Sequence, residues 1–439
     1  MRFTVMKEIV LFWFRRDIRL TDTVGLHQAI QSGYEVLPVF IFDTAILEQF
    51  PDKKDKRVSY LYQALQAIDQ QLQLYNSGIC FFHDTVLQAF DTLVKTYKIK
   101  AVYTNADYEP SAIQRDTEVY HFLASKNIDF YAYKDQVIFQ GDEILKSDQT
   151  PYKVYTPYAK IWRSKLVEQD LQDWSVPLKE AYFVGRQEVF KRPTLEQLGY
   201  RESEDLYFTP PVFDATIIQE YTQNRDYPAL DATTRLGIAL RFGTVSVRTC
   251  VKQALTFNDT WLSQLIWREF FTSILYHYPH SARECFKKQY ENIIWRNNEA
   301  EFDAWCKGET GYPMVDAGMR ELNQTGYMHN RVRMVVASFL VKHLLIDWRW
   351  GEGYFAQKLN DYDLALNVGN WQWAAGCGCD AAPYFRIFNP SEQQKKFDKD
   401  LKYIKRWIPK YEESTYITPI VEHKFARERA LLAFKRALK

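Results

Sequence analysis

A chain of 439 residues, 46% hydrophobic and 25% charged, has the composition of a globular protein with material for two or three cores. Its net charge of +1 excludes a polycation, so any role with nucleic acid must come from a local basic surface. Charges interrupt every apolar run before it could span a bilayer, and six cysteines are too sparse for a disulfide framework, so a cytoplasmic location is expected.

The opening MRFTVMKEIVLFWFRRDIRL has a short apolar stretch that leads into charge without a small-residue cleavage site, and it reads as a first strand. Residues 8–133 then alternate β-rich runs with helical stretches. Strands are expected at Glu8–Phe14, Glu35–Phe42, Ile79–His83, Ala101–Asn105 and Ile128–Tyr133. Apolar residues recur at helical spacing over Arg57–Tyr75, Val86–Tyr97 and Ile113–Ser125. Such alternation means βαβ units, so residues 1–133 are expected to form an α/β domain, a parallel sheet with helices on both faces. No G-x-G-x-x-G follows the first strand, which leaves a dinucleotide fingerprint unsupported there.

Residues 134–210 hold scattered Pro and Gly with one short helical signal, Tyr158–Gln169, and read as an interdomain connection. Residues 211–439 read as a large all-α domain. Its clearest helices are Val247–Phe257, Trp261–Tyr276, Glu299–Lys307, Val315–Gln324, Arg331–Ile346 and Ile420–Ala437. Eight of the 12 Trp lie between Trp261 and Trp373. A core rarely wants so many indoles, because each N–H needs a partner when buried. A Trp-rich core and a set of redox-active, base-stacking indoles around a planar cofactor are the two readings.

Several segments carry chemistry. Thr233, Thr234, Arg235 and Gly237 put hydroxyls, a cation and a helix start together, as a pyrophosphate cradle would, although a capped helix after a turn looks the same. In WLSQLIWREFF, Gln264, Trp267, Arg268 and Phe271 share a helix face that mixes an amide, an indole and a cation, which suits a polar pocket. His329, as a lone His, is more often structural than catalytic. Asp361 and Asp363 serve equally well as helix caps or as partners of Arg333. Cys377 and Cys379 form only half a metal site, so no metal is expected and both read as free thiols.

Taken together these segments resemble the photolyase/cryptochrome flavoprotein family. The resemblance runs through WFRRDIRLTD, PYKVYTPYAKIW, LIWREFF, TGYPMVDAGMRELNQTGYMHNRVRMVVASFLVKHLLIDWRWGEGYF, NWQWAAGCGCDAAPYFRIFNP and PIVEHKFARERAL. Within the family the chain is most similar to bacterial class I cyclobutane pyrimidine dimer photolyases. The resemblance implies FAD in the helical domain and, often, an antenna chromophore in the α/β domain. The folate-binding pattern does not recur around Asp107, so the identity of any antenna is not implied. Tyr221, Thr233, Thr234, Arg235, Leu236 and Gly237 would hold the FAD phosphates. Trp261 and Arg268 would line the cavity, Arg333 and Asp361 would pair near the flavin ring with Asp363 and Asn330 close by, and Asn367 would face flavin N5.

Trp371, Trp348 and Trp295 match the family's electron-transfer triad. Trp267 and Trp373 match two indoles that clasp a flipped lesion, with Gln264, Asn330, Arg331 and Met334 completing the pocket. Arg331, Arg386, Gln393 and Lys396 would meet DNA phosphates without sequence preference. The resemblance thus implies light-driven repair of cyclobutane dimers by a monomer, through electron transfer from excited reduced FAD. Photolyases that repair (6-4) products have two His where this chain has Asn330 and Met334. Class I enzymes usually carry Glu where it has Gln264, which puts repair efficiency in question. The rivals are a cryptochrome-type photosensor and a non-catalytic DNA-binding flavoprotein.

Overall fold

Both faces of the first strand, β1 (Glu8–Phe14), are buried: Val10, Phe12 and Phe14 enter one apolar cluster, Ile9, Leu11 and Trp13 another. A strand apolar on both faces needs cover on both, so it belongs at the centre of a parallel sheet. The computed structural model describes residues 7–186 and 190–438 and places it there. With β2 (Glu35–Asp43), β3 (Cys80–Asp84), β4 (Lys98–Asn105) and β5 (Asp129–Tyr133), the order is β3-β2-β1-β4-β5. Every pairing is parallel, with Val10 opposite Val36 on one side and Ala101 on the other.

Helices α1 (Val24–Gln31), α2 (Lys56–Gln73), α3 (Val86–Thr96) and α4 (Pro110–Ala124) cover the sheet. Leu65, Ile68 and Leu72 of α2 pack with Phe12, whereas Phe90 and Leu93 of α3 pack with Trp13, so the two faces are covered as expected. The first helix was not anticipated from periodicity, and α4 starts three residues before Ile113 because Pro110 occupies its first turn.

The chain divides into two compact units. One takes residues up to 140 with 166–212 and 236–253, and the other takes 141–165, 213–235 and 254 onward. The 134–210 segment, expected as a connection, is therefore shared between the units, and 236–253 fall with the sheet. An ion-pair cluster explains the latter. Arg248 bonds Asp22 at 2.9 Å and Asp135 at 2.7 Å, and Asp135 also takes Arg19 at 2.5 Å, all of them buried. Gly243, at φ +64°, lets that segment pass the strand: a Cβ there would lie 2.0 Å from the Arg16 carbonyl oxygen.

The second unit is helical. Its principal helices are α5 (Tyr155–Lys165), α6 (Asp259–His277), α7 (Asn330–Ser338), α8 (Trp348–Lys358), α9 (Leu364–Ala375), α10 (Pro390–Phe397) and α11 (His423–Ala437). The single helix expected over Arg331–Ile346 ends at Ser338 and passes into a wholly buried π turn, Phe339–His343. Helix α9 has no clear apolar period because the half-buried Leu364, Leu366 and Trp373 are apolar as well, while its opposite face, with Ala365, Val368, Trp371 and Ala375, is enclosed by the core. Gly369 and Gly351 permit that enclosure. A Cβ at Gly369 would lie 2.3 Å from the Phe271 ring of α6, and one at Gly351 would lie 2.1 Å from Trp371. Among the described residues no helix is long and apolar enough to cross a membrane, and no cluster could hold a metal ion.

Candidate functional site

Helix α6 begins at Asn258, whose side chain accepts the Trp261 N–H at 3.0 Å. Trp261, Arg268 and Phe271 point inward and are buried, while Gln264 and Trp267 remain half-buried. The mixed face thus divides. Its cation and Phe ring go inside, and its amide and indole stay accessible. The Gln264 amide nitrogen donates weakly to the Thr260 carbonyl at 3.4 Å. Phe270 and Phe271 pack on Trp267, and Tyr155 of α5 stacks on it.

The two acids that the sequence left equivalent take one role each. Asp363 caps α9, accepting the Leu366 N–H at 3.2 Å. Asp361 pairs with Arg333 at 3.0 Å, and the Arg333 Nε donates to the Met328 carbonyl at 2.7 Å. Burial alone would weaken the hold of Arg333 on its proton, but Asp361 outweighs it and raises the guanidinium pKa. Arg333 is thus a fixed cation at the start of α7.

Asn367 sits on the buried side of α9. Its amide nitrogen donates to the Glu352 backbone carbonyl at 3.1 Å and to Glu352 Oε1 at 2.8 Å. A backbone carbonyl only accepts, so this geometry fixes the amide orientation. Burial pushes the Glu352 carboxyl above its ordinary range. Among the described residues the Asn367 carbonyl oxygen has no partner, so it is an oriented acceptor free to take an N–H from outside the protein.

Thr233 and Tyr327 share a hydroxyl contact at 3.3 Å, and the Arg235 guanidinium lies 4.9 Å from the Tyr327 ring. Arg235 has φ +49°, a left-handed conformation unusual for a side-chain-bearing residue. Its ion pair with Asp231 at 2.9 Å is exposed and holds it only weakly. Tyr221 is half-buried beneath Arg225, and Thr234 is half-buried. Leu236 and Gly237 fall in the sheet unit, and Gly237 opens a helix of only six residues. Of the residues expected to form a phosphate cradle, Tyr221, Thr233, Thr234 and Arg235 thus stand in the helical unit, apart from the helix start at Gly237.

Trp371 and Trp348 are core members of one apolar cluster, and the half-buried Trp295 packs against it. Trp371 meets Phe355 edge-on at 5.0 Å and Trp305 at 6.1 Å. The Trp348 N–H is buried without a partner among the described residues, and the Arg349 guanidinium lies 4.8 Å from its ring. Trp295 meets Phe434 edge-on at 6.0 Å. Two indoles are enclosed and the third reaches the margin.

Trp373 is half-buried with the Arg386 guanidinium 5.9 Å from its ring. Arg386 and Lys396 are exposed with no acidic partner among the described residues. Gln393 is half-buried, and its Oε1 lacks a partner among the described residues. Arg331 differs from the other two cations. It bonds Asp226 at 2.7 Å and lies over Phe397 at 4.4 Å, so it is already neutralised. Asn330 is exposed, Met334 is half-buried, and the Asn330 amide lies 4.0 Å from the Met334 sulfur. His329 caps α7 through Nδ1, accepting the Arg331 N–H at 3.2 Å, and burial pushes its pKa down to about 4. It is a neutral cap and no acid at neutral pH.

The sequence reading assigned nothing to Tyr155, Asp380 or Glu352. Each reaches its partner across 15 to 225 residues of chain, and no local pattern marks such contacts.

Residues 10–177 match the family model for DNA photolyase, and residues 261–414 match that for the FAD binding domain of DNA photolyase. The chain is 37% identical to the deoxyribodipyrimidine photo-lyase of Synechococcus sp., over 91% of its own length and 87% of the relative's. A bacterial class III photolyase from Agrobacterium tumefaciens superposes with a TM-score of 0.87 at 30% identity, covering 100% of this chain and 99% of that one. An archaeal photolyase from Sulfolobus tokodaii with two FAD molecules superposes at 0.83 with 34% identity, covering 98% and 100%.

Proposed function

The chain belongs to the DNA photolyase family, and from that membership we propose how its residues carry out light-driven repair of cyclobutane pyrimidine dimers in DNA. It is a deoxyribodipyrimidine photo-lyase, a carbon–carbon lyase with FAD as its cofactor. When bound and reduced, FAD would supply the light-driven electron transfer to the dimer and take the electron back once the ring has split. The chain's own residues bind, orient and hold charge.

The observation that carries the residue assignment is α9. One helix presents Asn367, whose carbonyl oxygen is oriented and unpartnered, then the buried Trp371 one turn later, then the half-buried Trp373. Asn367 would accept from the flavin N–H, Arg333 would supply a fixed positive charge beside the ring, and Thr233, Thr234, Arg235 and Tyr221 would hold the phosphates. Trp371, Trp348 and Trp295 would pass electrons inward to oxidised flavin, with an external reductant refilling Trp295 at the protein margin. Trp267 and Trp373 stack on the flipped lesion, and Gln264, Asn330 and Met334 edge it. The second FAD of the Sulfolobus relative supports an antenna chromophore in this chain as well. The partner is damaged DNA, bound by a monomer. All six cysteines are free, which fits a reducing cytoplasm.

Repair assays on both lesion types test this reading. Asn330 and Met334 provide no imidazole to protonate a (6-4) product, and the neutral His329 cap is no substitute, so repair of cyclobutane dimers alone is expected. The Gln264 amide offers a donor and an acceptor to a base edge but no carboxyl to assist the dimer by charge or proton. Gln264→Glu is therefore expected to raise repair yield. A charge-assisted hydrogen bond contributes about 1.5–3 kcal/mol, so lesion affinity is expected to rise as well. Repair of (6-4) products, or no dimer repair by either protein, overturns the assignment.

DNA affinity should come from few phosphates. Arg386→Ala and Lys396→Ala are each expected to weaken binding to all DNA and to lower the salt slope by about 1, since each removes an unpaired cation. Arg331→Ala is expected to act less, because a phosphate must first displace Asp226. Equilibrium binding across a salt series checks both statements.

A further inference from the structure

The Tyr155 ring, at the first residue of α5, lies flat on Trp267 with centroids 3.7 Å apart and planes 6° from parallel. The other rings that touch this indole do so differently. Phe271 is tilted at 5.4 Å and Phe270 is edge-on at 5.7 Å. Two hydrogen bonds fix Tyr155. Its hydroxyl donates to the Ser263 carbonyl at 3.0 Å, one turn before Trp267 on α6. Its backbone N–H donates to Asp380 Oδ2 at 2.9 Å. Asp380 stands on the segment that joins Trp373 to Arg386, and a carboxylate at the start of α5 is favourably placed against the helix dipole. One face of Trp267 is therefore occupied, and among the described residues no ring stacks in parallel on the other.

We propose that Tyr155 is a positioning residue for lesion recognition: it backs one face of Trp267 so that the opposite face meets the flipped dimer, and through Asp380 it ties that indole to the segment bearing Arg386. The proposal rests on the reading of Trp267 as a lesion-stacking indole. A half-buried indole loses rotamer freedom when a base stacks on it, and that loss weakens binding. A flat partner held by two hydrogen bonds removes the loss in advance, so stacking on the dimer keeps its full value. Undamaged DNA, whose bases stay in the duplex, gains nothing from Tyr155.

The test measures dark binding of dimer-containing and undamaged duplexes by FAD-loaded parent, Tyr155→Ala, Tyr155→Phe and Trp267→Ala proteins. Tyr155→Ala is expected to weaken dimer binding about five- to tenfold, leaving undamaged binding and the flavin spectrum unchanged. Tyr155→Phe keeps the ring and is expected to recover most of that affinity, which a general folding defect would not allow. If Trp267→Ala loses the preference for dimers and Tyr155→Ala keeps it, the role of Tyr155 is overturned while Trp267 stands. Equal weakening on both duplexes by Tyr155→Ala, or a loss that Tyr155→Phe shares in full, overturns it too. If Trp267→Ala keeps the preference, the reading of Trp267 falls and the proposal with it.

Discussion

Trp371→Phe is expected to abolish light-driven reduction of oxidised FAD while leaving intact repair by protein that has been chemically reduced beforehand. Trp371 is enclosed in the helical core, one turn beyond Asn367 on α9. Phe is far harder to oxidise than Trp, so an electron path that begins at this position ends there. The repair electron starts on the flavin and does not need the path. The substitution also removes ring volume where Gly351 of α8 presses on the indole, which costs on the order of 1–2 kcal/mol of stability. Flavin content and melting temperature therefore accompany the measurement. Absorbance at the flavin bands under illumination with an external reductant gives the answer, and normal photoreduction would show that the triad is misassigned or bypassed through Trp305, 6.1 Å away.

Asp135→Ala is expected to destabilise the sheet unit by about 3–5 kcal/mol. Asp135 is 1% exposed and stands between Arg19 and Arg248, both buried. Its removal leaves two buried guanidinium groups without their shared carboxylate, with Asp22 paired to Arg248 alone. Asp135→Asn keeps the shape but not the charge and should recover only part of the loss. Thermal unfolding followed by far-UV circular dichroism measures both.

The same cluster sets a pH dependence with two opposite signs. Burial alone would raise the Asp135 pKa, but Arg19 and Arg248 outweigh it and hold the carboxyl below its ordinary value. Its stabilising contribution is present above about pH 4 and is lost as pH falls through the depressed value. Asp17 does the reverse, because burial, with Asp135 nearby, pushes its pKa up to about 6. Its contribution is present below about pH 4 and disappears as pH rises through about 6. Asp17→Asn should therefore flatten the stability profile between those limits, and Asp135→Asn should flatten the acid limb.

The α/β domain was legible in the sequence because its signal is local. EIVLFWF is apolar at every position after Glu8, and only a strand buried on both faces wants that pattern. Amphipathic helices such as Val86–Thr96 announce themselves by period for the same reason: one face meets the core and the other meets water. Helix α9 did not, since the apolar Leu364, Leu366 and Trp373 stand off its buried face and remove the contrast that periodicity needs. The family was also legible, because long runs such as NWQWAAGCGCDAAPYFRIFNP keep residue type and spacing together.

What the sequence determined by itself is which side chains are present and which elements carry them. It set Gln264 rather than a carboxyl on α6, and Asn330 and Met334 rather than a pair of imidazoles on α7. The tertiary structure decided their partners. Asp361 became the counter-ion of Arg333 and Asp363 a helix cap, although a single residue separates them and their chemistry is identical. Arg331 was neutralised by Asp226 while Arg386 was left open. Tyr155 was laid on Trp267 by bonds to Ser263 and Asp380, far away in sequence. The physical reason is range. Hydrophobic periodicity and helix capping act over a few residues and are written in order along the chain. Ion pairing, ring stacking and hydrogen-bond satisfaction depend on distances of a few ångströms, which exist only after the helices have packed.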